Sequence, residues 1–145
     1  MPFVEVFASG VRDDQKQAIS ERLVAEVMKA EGAPDCAPAR SISWLVWQEV
    51  SAWSVGGRPV GTTEPPRYVV RVAVPAGSMD EQERADVIGR VTAVLAEVDD
   101  DPKRLYRQPD AWVHVSEIPE GAWGALGRQV RFPDIANYVL TGAIA

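Results

Sequence analysis

The chain repeats itself, and that repeat limits the folds open to it. Glu49 and Glu117 each end an apolar run and lie 117 − 49 = 68 residues apart. The acidic openings of two amphipathic stretches, Asp13-Asp14-Gln15 and Asp80-Glu81-Gln82, lie 80 − 13 = 67 apart. Trp53 and Trp123 are 123 − 53 = 70 apart, as are Arg58 and Arg128. A spacing near 70 at several landmarks points to two copies of one supersecondary unit.

Each copy reads as strand, helix, strand. Pro2 to Ala8 is rich in β-formers, with Phe3, Val4, Val6 and Phe7 before the Ser9-Gly10 break. A helix is expected from about Asp13, capped by Asp13 or Asp14, with Ile19, Leu23 and Val27 on one face. Gly32-Ala33-Pro34 ends it, and Ala37-Pro38-Ala39 delays the next element. From about Ser41 to Val50 a second strand sets Ile42, Trp44 and Val46 against Leu45 and Trp47, so both its faces read as buried. A connector rich in glycine and proline follows, through Pro66. Tyr68 to Val74 is then a strand, Pro75-Ala76-Gly77 a turn, and Asp80 starts a helix striped by Val87, Val91, Leu95 and Val98. Asp99-Asp100-Asp101 reads as the cap of a short turn begun by Pro102, and Trp112 to Ile118 is the fourth strand.

The expected fold class is α+β: two tandem βαβ units forming a four-stranded mixed sheet with two helices on one face. The whole chain, 1–145, reads as one domain of two repeats, about 2–60 and about 67–130, plus a C-terminal tail. Two helices cannot cover both faces of such a sheet, so an apolar face is left for an oligomer to bury.

Composition narrows the partners. With 15 basic and 21 acidic residues the net charge is −6, a field that repels nucleic acid and anionic membrane surfaces. The single Cys36 rules out an intrachain disulfide, and the single His114 provides no zinc cluster. No apolar run is long enough to span a bilayer, and the first residues lack a signal-peptide pattern, so a soluble, cytoplasmic protein is expected. Gly56-Gly57 opens no helix and so makes no phosphate loop.

A proline directly after Met1, an Asp13-Asp14-Gln15-Lys16 helix start and a strand ending in Glu49 before Trp53-Ser54-Val55-Gly56-Gly57 together resemble the tautomerase superfamily. Its long members are fused pairs of βαβ units, as this chain is expected to be. Trp112-Val113-His114-Val115-Ser116-Glu117-Ile118-Pro119, leading to Gly127-Arg128, is similar to the cis-3-chloroacrylic acid dehalogenase branch. Asn137 to Gly142 resembles the C-terminus of malonate semialdehyde decarboxylase, another long member.

The resemblance implies a chemistry. Loss of Met1 would leave Pro2 with a free secondary amine, able to move a proton between the oxygen and carbon of an enol. Arg12 would clamp the substrate carboxylate with its planar fork, or else be a solvated arginine at a helix start. Trp53 would wall the pocket or simply pack, and its repeat partner Trp123 reads more as packing. His114 stands where the dehalogenase branch has a water-activating tyrosine, and is otherwise a strand histidine. Arg71 and Arg40, the latter from a neighbouring subunit, are further substrate-binding candidates with a surface role as the plain alternative. Ala125 occupies the place of the dehalogenase general-base glutamate, which favours tautomerisation over hydrolytic dehalogenation. A homotrimer acting on a small carboxylate, without cofactor or metal, is the resulting expectation. The alternatives are a hydratase or dehalogenase of unsaturated acids that uses His114, and a non-catalytic protein of the same fold.

Overall fold

The computed structural model describes residues 2–143; Met1, whose loss the proline chemistry requires, and the last two residues of the tail lie outside them. In the first half, β1 (Phe3–Ala8) leads through α1 (Asp13–Ala30) and a short α2 (Ala37–Ser41) to β2 (Trp44–Glu49), followed by the hairpin of β3 (Ser54–Val55) and β4 (Arg58–Pro59). In the second, β5 (Tyr68–Pro75), α3 (Glu81–Glu97), α4 (Arg104–Arg107) and β6 (Ala111–Ile118) precede the hairpin of β7 (Gly124–Ala125) and β8 (Arg128–Gln129). The helix α5 (Phe132–Thr141) then occupies the tail.

The four long strands form one mixed sheet in the order β2-β1-β5-β6. β1 pairs parallel with β2 and β5 parallel with β6, while β1 and β5 meet antiparallel at the centre with Phe3 opposite Ala73 and Ala8 opposite Tyr68. Strand alternation sends Val4, Val6, Val70, Val72 and Val74 to one face, all fully buried. Against them pack Ile19, Leu23 and Val27 of α1 and Val87, Val91 and Leu95 of α3, also fully buried, each contributing about 1.5–3 kcal/mol. Both helices therefore lie on one face of the mixed sheet.

Helix starts follow local chemistry, with one correction. At α3, the Asp80 carboxylate accepts from the Glu83 N–H (2.8 Å) and the Glu83 carboxylate from the Asp80 N–H (3.2 Å), closing a capping box. At α1 neither Asp13 nor Asp14 is the cap: Arg12 takes that position, and the Gln15 amide oxygen accepts from its N–H (3.1 Å). The two aspartates fall in the first turn, where the helix dipole favours them. Gly32, at φ +72°, ends α1 as its sequence suggests.

The second strand is also corrected. Leu45 and Trp47 pack on the core, but Trp44 is 65% exposed, as is its counterpart Trp112 at 59%. The sheet face away from the helices is open in a single chain, and β2 and β6 are its edges. The two halves share another detail. Lys16 of α1 pairs with Glu49 (2.8 Å) and Arg84 of α3 with Glu117 (3.3 Å), so the strand-end glutamates tie each helix to its following strand.

Within the acidic run Asp101 caps the turn begun by Pro102, its carboxylate accepting from the Lys103 N–H (3.0 Å), and Asp99 accepts from the Asp101 N–H (3.3 Å). Asp99 also forms a two-point ion pair with Arg104, at 2.9 Å from both Nε and Nη2, whose Nη1 reaches Asp110 (3.0 Å) and whose Nη2 donates to the Pro66 carbonyl (2.8 Å). Beside this cluster the phenol of Tyr68 is pushed up to about 12 from 10.0, by burial first, with Asp99 adding and Arg104 opposing. The folded state thus holds this proton more tightly than the unfolded chain. That contribution is complete below about pH 10 and is lost between about pH 10 and 12, at about 1.4 kcal/mol per pH unit. The urea midpoint is expected to fall steeply across that window, and Tyr68→Phe to flatten the fall.

Among the described residues no helix is long and apolar enough to cross a membrane.

Candidate active site

Pro2 is buried at the head of β1, and its carbonyl accepts from the Trp44 N–H (3.2 Å). Together with Phe3 it lines a cavity of about 310 Å³. Ser41, Ile42 and Trp44, from the end of α2 to the start of β2, form one wall. The β7–β8 hairpin supplies Trp123, Gly124 and Ala125, and Val130, Ile135 and Tyr138 close the cavity from the chain's last helix and its approach. None of these lining residues carries a charge.

The hairpin's place follows from topology. Because β1 and β5 run antiparallel, the end of β6 lies at the start of β1, and whatever follows β6 must fold over Pro2. The hairpin is held shut by the Val130 N–H donating to the Trp123 carbonyl (2.9 Å). The first-half hairpin copies this bond, Val60 to Trp53 at 3.0 Å, but at the other end of β1. Trp53 there donates through Nε1 to the Ser9 hydroxyl (3.1 Å) and lines a separate hollow of about 190 Å³ with Arg67 and Glu64.

Of the residues singled out by sequence, Pro2, Trp123 and Ala125 line this cavity, and Trp53 does not. Arg12 lies beyond the far end of β1, exposed and paired with Asp14 (3.2 Å), whose carboxyl it holds below its ordinary value. Arg40 adjoins Ser41 in sequence but forks onto Asp35 (2.5 and 2.9 Å), likewise lowering that carboxyl. Arg71 and His114 sit opposite each other on the open sheet face, in one row with Glu5, whose carboxylate is 3.9 Å from Arg71. Cys36 contacts the Val139 carbonyl (3.6 Å), joining α2 to α5.

Sequence reasoning missed two lining groups. Tyr138 and Ser41 meet through their hydroxyls at 3.0 Å, and Ser41 donates onward to the Pro38 carbonyl (2.7 Å). It also passed over Arg128 as a site residue. Arg128 stands opposite Ala125 in the hairpin and lines a shallow hollow that shares Trp123, Gly124 and Ala125 with the Pro2 cavity. The repeat had marked Arg128 through its spacing from Arg58, but nothing local linked it to Pro2.

Neither a family model nor a curated protein matches the chain. Solved structures do. A native fused 4-OT matches with a TM-score of 0.68 at 24% identity, over 88% of this chain and 94% of that one. A protein called Pt0534, inactivated by 2-oxo-3-pentynoate, matches at 0.70 and 18% over the same shares. The macrophage migration inhibitory factor of Toxoplasma gondii matches at 0.66 and 14%, over 88% and 99%. The chain has the fold of the fused 4-OT structures, over nearly their whole length.

Proposed function

We propose that the protein is an enol–keto tautomerase of small carboxylates, whose base is the secondary amine of Pro2 after loss of Met1. The observation that carries this reading is the placement of Pro2: buried, at the floor of a cavity large enough for an organic acid. An apolar enclosure disfavours the ammonium form of an amine and so keeps it available as a base. The amine takes a proton from the enol oxygen and returns one to carbon, so no cofactor or metal enters the reaction.

The carboxylate needs a cation. Within one chain Arg128 at the edge of the cavity is the candidate. Arg12, Arg40 and Arg71 lie outside the cavity, so any part they take depends on a neighbouring copy. Self-association as a trimer is supported by the open sheet face, with Trp44 and Trp112 exposed on the edge strands, and by fused 4-OT structures that are trimers.

A hydratase or dehalogenase reading is weaker. Ala125 lines the cavity, no carboxylate is among its described lining residues, and His114 lies on the open sheet face. A non-catalytic protein of this fold remains the competing outcome of the test. That test is reaction with 2-oxo-3-pentynoate, the reagent that inactivated Pt0534. It is an electrophilic 2-oxo acid, and the adduct is located by mass spectrometry.

A further inference from the structure

We infer that the chain has a second ligand site, apart from the Pro2 cavity and independent of the tautomerase reading: the hollow at the first hairpin, which takes a small α-amino acid as its zwitterion. Three observations carry it. First, the hollow is the repeat's counterpart of the Pro2 cavity. Arg67 stands one residue before β5, as Pro2 stands one residue before β1. Trp53 and Val60 line it where Trp123 and Val130, each 70 residues further on, line the other. The antiparallel pairing of β1 and β5 sets the two hollows at opposite ends of β1. A guanidinium in this place is a fixed cation, suited to holding an anion rather than to moving a proton.

Second, the lining carries one charge of each sign, loosely paired. Arg67 Nη2 lies 3.6 Å from Glu64 Oε1, beyond the about 3.2 Å reach of an N–H···O hydrogen bond. Arg67 Nε is buried without a hydrogen-bond partner, and Asp110, 3.6 Å from it, is engaged by Arg104 at 3.0 Å. Glu64 is anchored through its other oxygen, which accepts from the Gly61 N–H (2.7 Å). A simple anion here meets the like charge of Glu64, and a simple cation that of Arg67. An ammonium and a carboxylate on one carbon answer both. Third, a hydroxyl and the size fit the same guest. The Ser9 hydroxyl accepts from Trp53 Nε1 (3.1 Å), which leaves its own proton for a carboxylate. An apolar cavity of about 150 Å³ holds one benzene, and this hollow offers about 190 Å³, room for an amino acid the size of alanine.

Calorimetry tests this without turnover. L-Alanine is expected to bind once per chain with a Kd below about 1 mM. Alaninamide, which lacks the carboxylate, and N-acetylalanine, which lacks the ammonium, are each expected to bind at least about 10-fold more weakly, the loss of one charged hydrogen-bonding partner. Two variants place the site. Glu64→Gln removes the charge and can keep the bond to Gly61, and Ala52→Leu fills the hollow from an exposed lining position. Each is expected to weaken alanine at least about 10-fold while leaving the urea midpoint in place. The inference is overturned if the Kd for alanine lies above about 1 mM, if alaninamide or N-acetylalanine binds as tightly as alanine, or if either variant binds alanine as the parent protein does.

Discussion

Pro2→Ala, prepared so that Met1 is lost in both proteins, is expected to reduce the ketonisation rate of an enol acid such as phenylenolpyruvate by about 10²–10⁴-fold, the range a positioned acid–base group contributes. Alanine still offers an N-terminal amine, but it is a primary one on an unconstrained residue. Proline fixes φ and points its nitrogen along one direction from the head of β1. The fold is expected to survive. The Pro2 carbonyl bond to Trp44 is kept by any residue, and β1 holds its place through Val4 and Val6 in the core. Substrate affinity is expected to change little, since the carboxylate and the body of the substrate meet other groups. A variant that keeps its kcat would remove the proline from the mechanism and turn attention to the non-catalytic reading.

Arg104→Ala is expected to cost about 3–5 kcal/mol of stability and to leave catalysis unchanged wherever the protein remains folded. Arg104 is 7% exposed and joins three separate segments: Asp99 after α3, Asp110 before β6, and the Pro66 carbonyl at the end of the connector. Removing it strands the buried Asp99 carboxylate without a counter-charge and leaves Asp110 only Arg67, at 3.6 Å, the costly way to break a buried ion pair. Such a loss is a large share of the about 5–15 kcal/mol that holds a typical domain together. Arg104→Lys is expected to recover only part of it, because an ammonium cannot fork onto Asp99 while also reaching Asp110 and Pro66. Urea unfolding monitored by tryptophan fluorescence gives the difference. A cost below about 1 kcal/mol, typical of a surface pair, would show that the cluster is not what joins these segments.

The residues made the sheet and its two helices legible because each element repeats a simple period. Val4-Val6 and Val70-Val72-Val74 alternate, Ile19-Leu23-Val27 and Val87-Val91-Leu95 recur every four residues, and Glu49 and Glu117 mark equivalent strand ends. Pro2 draws attention through its position after Met1 and the resemblance that position carries, whereas the cavity beside it was not legible. Trp53 looked like the wall because reading one repeat at a time pairs each hairpin with its own unit. The antiparallel meeting of β1 and β5 instead lays the second hairpin, with Trp123, over the first strand. Tyr138 and Ser41 lie 97 residues apart, and their hydroxyl contact exists only once α5 packs on α2. Arg104 was hidden for the same reason. Asp99 is near it in sequence, but Pro66 is 38 residues away, and no local pattern records such a bond. Trp44 misled in the other direction: an apolar residue on an edge strand reads as buried whether its cover is this chain or another copy.

The most direct test of the proline base is its covalent capture. In 2-oxo-3-pentynoate the alkyne is conjugated to a ketone, so a neutral amine adds to the distal alkyne carbon. The nitrogen–carbon bond forms, one π bond is consumed, and the amine proton passes to the neighbouring carbon. The adduct adds the whole mass of the acid, and fragmentation locates it. The account predicts one adduct per chain, on the nitrogen of Pro2, with ketonisation lost in step and no labelling of that nitrogen in protein that keeps Met1. An unmodified Pro2 in fully mature protein, or equal labelling spread over Lys16, Lys29 and Lys103, would contradict it.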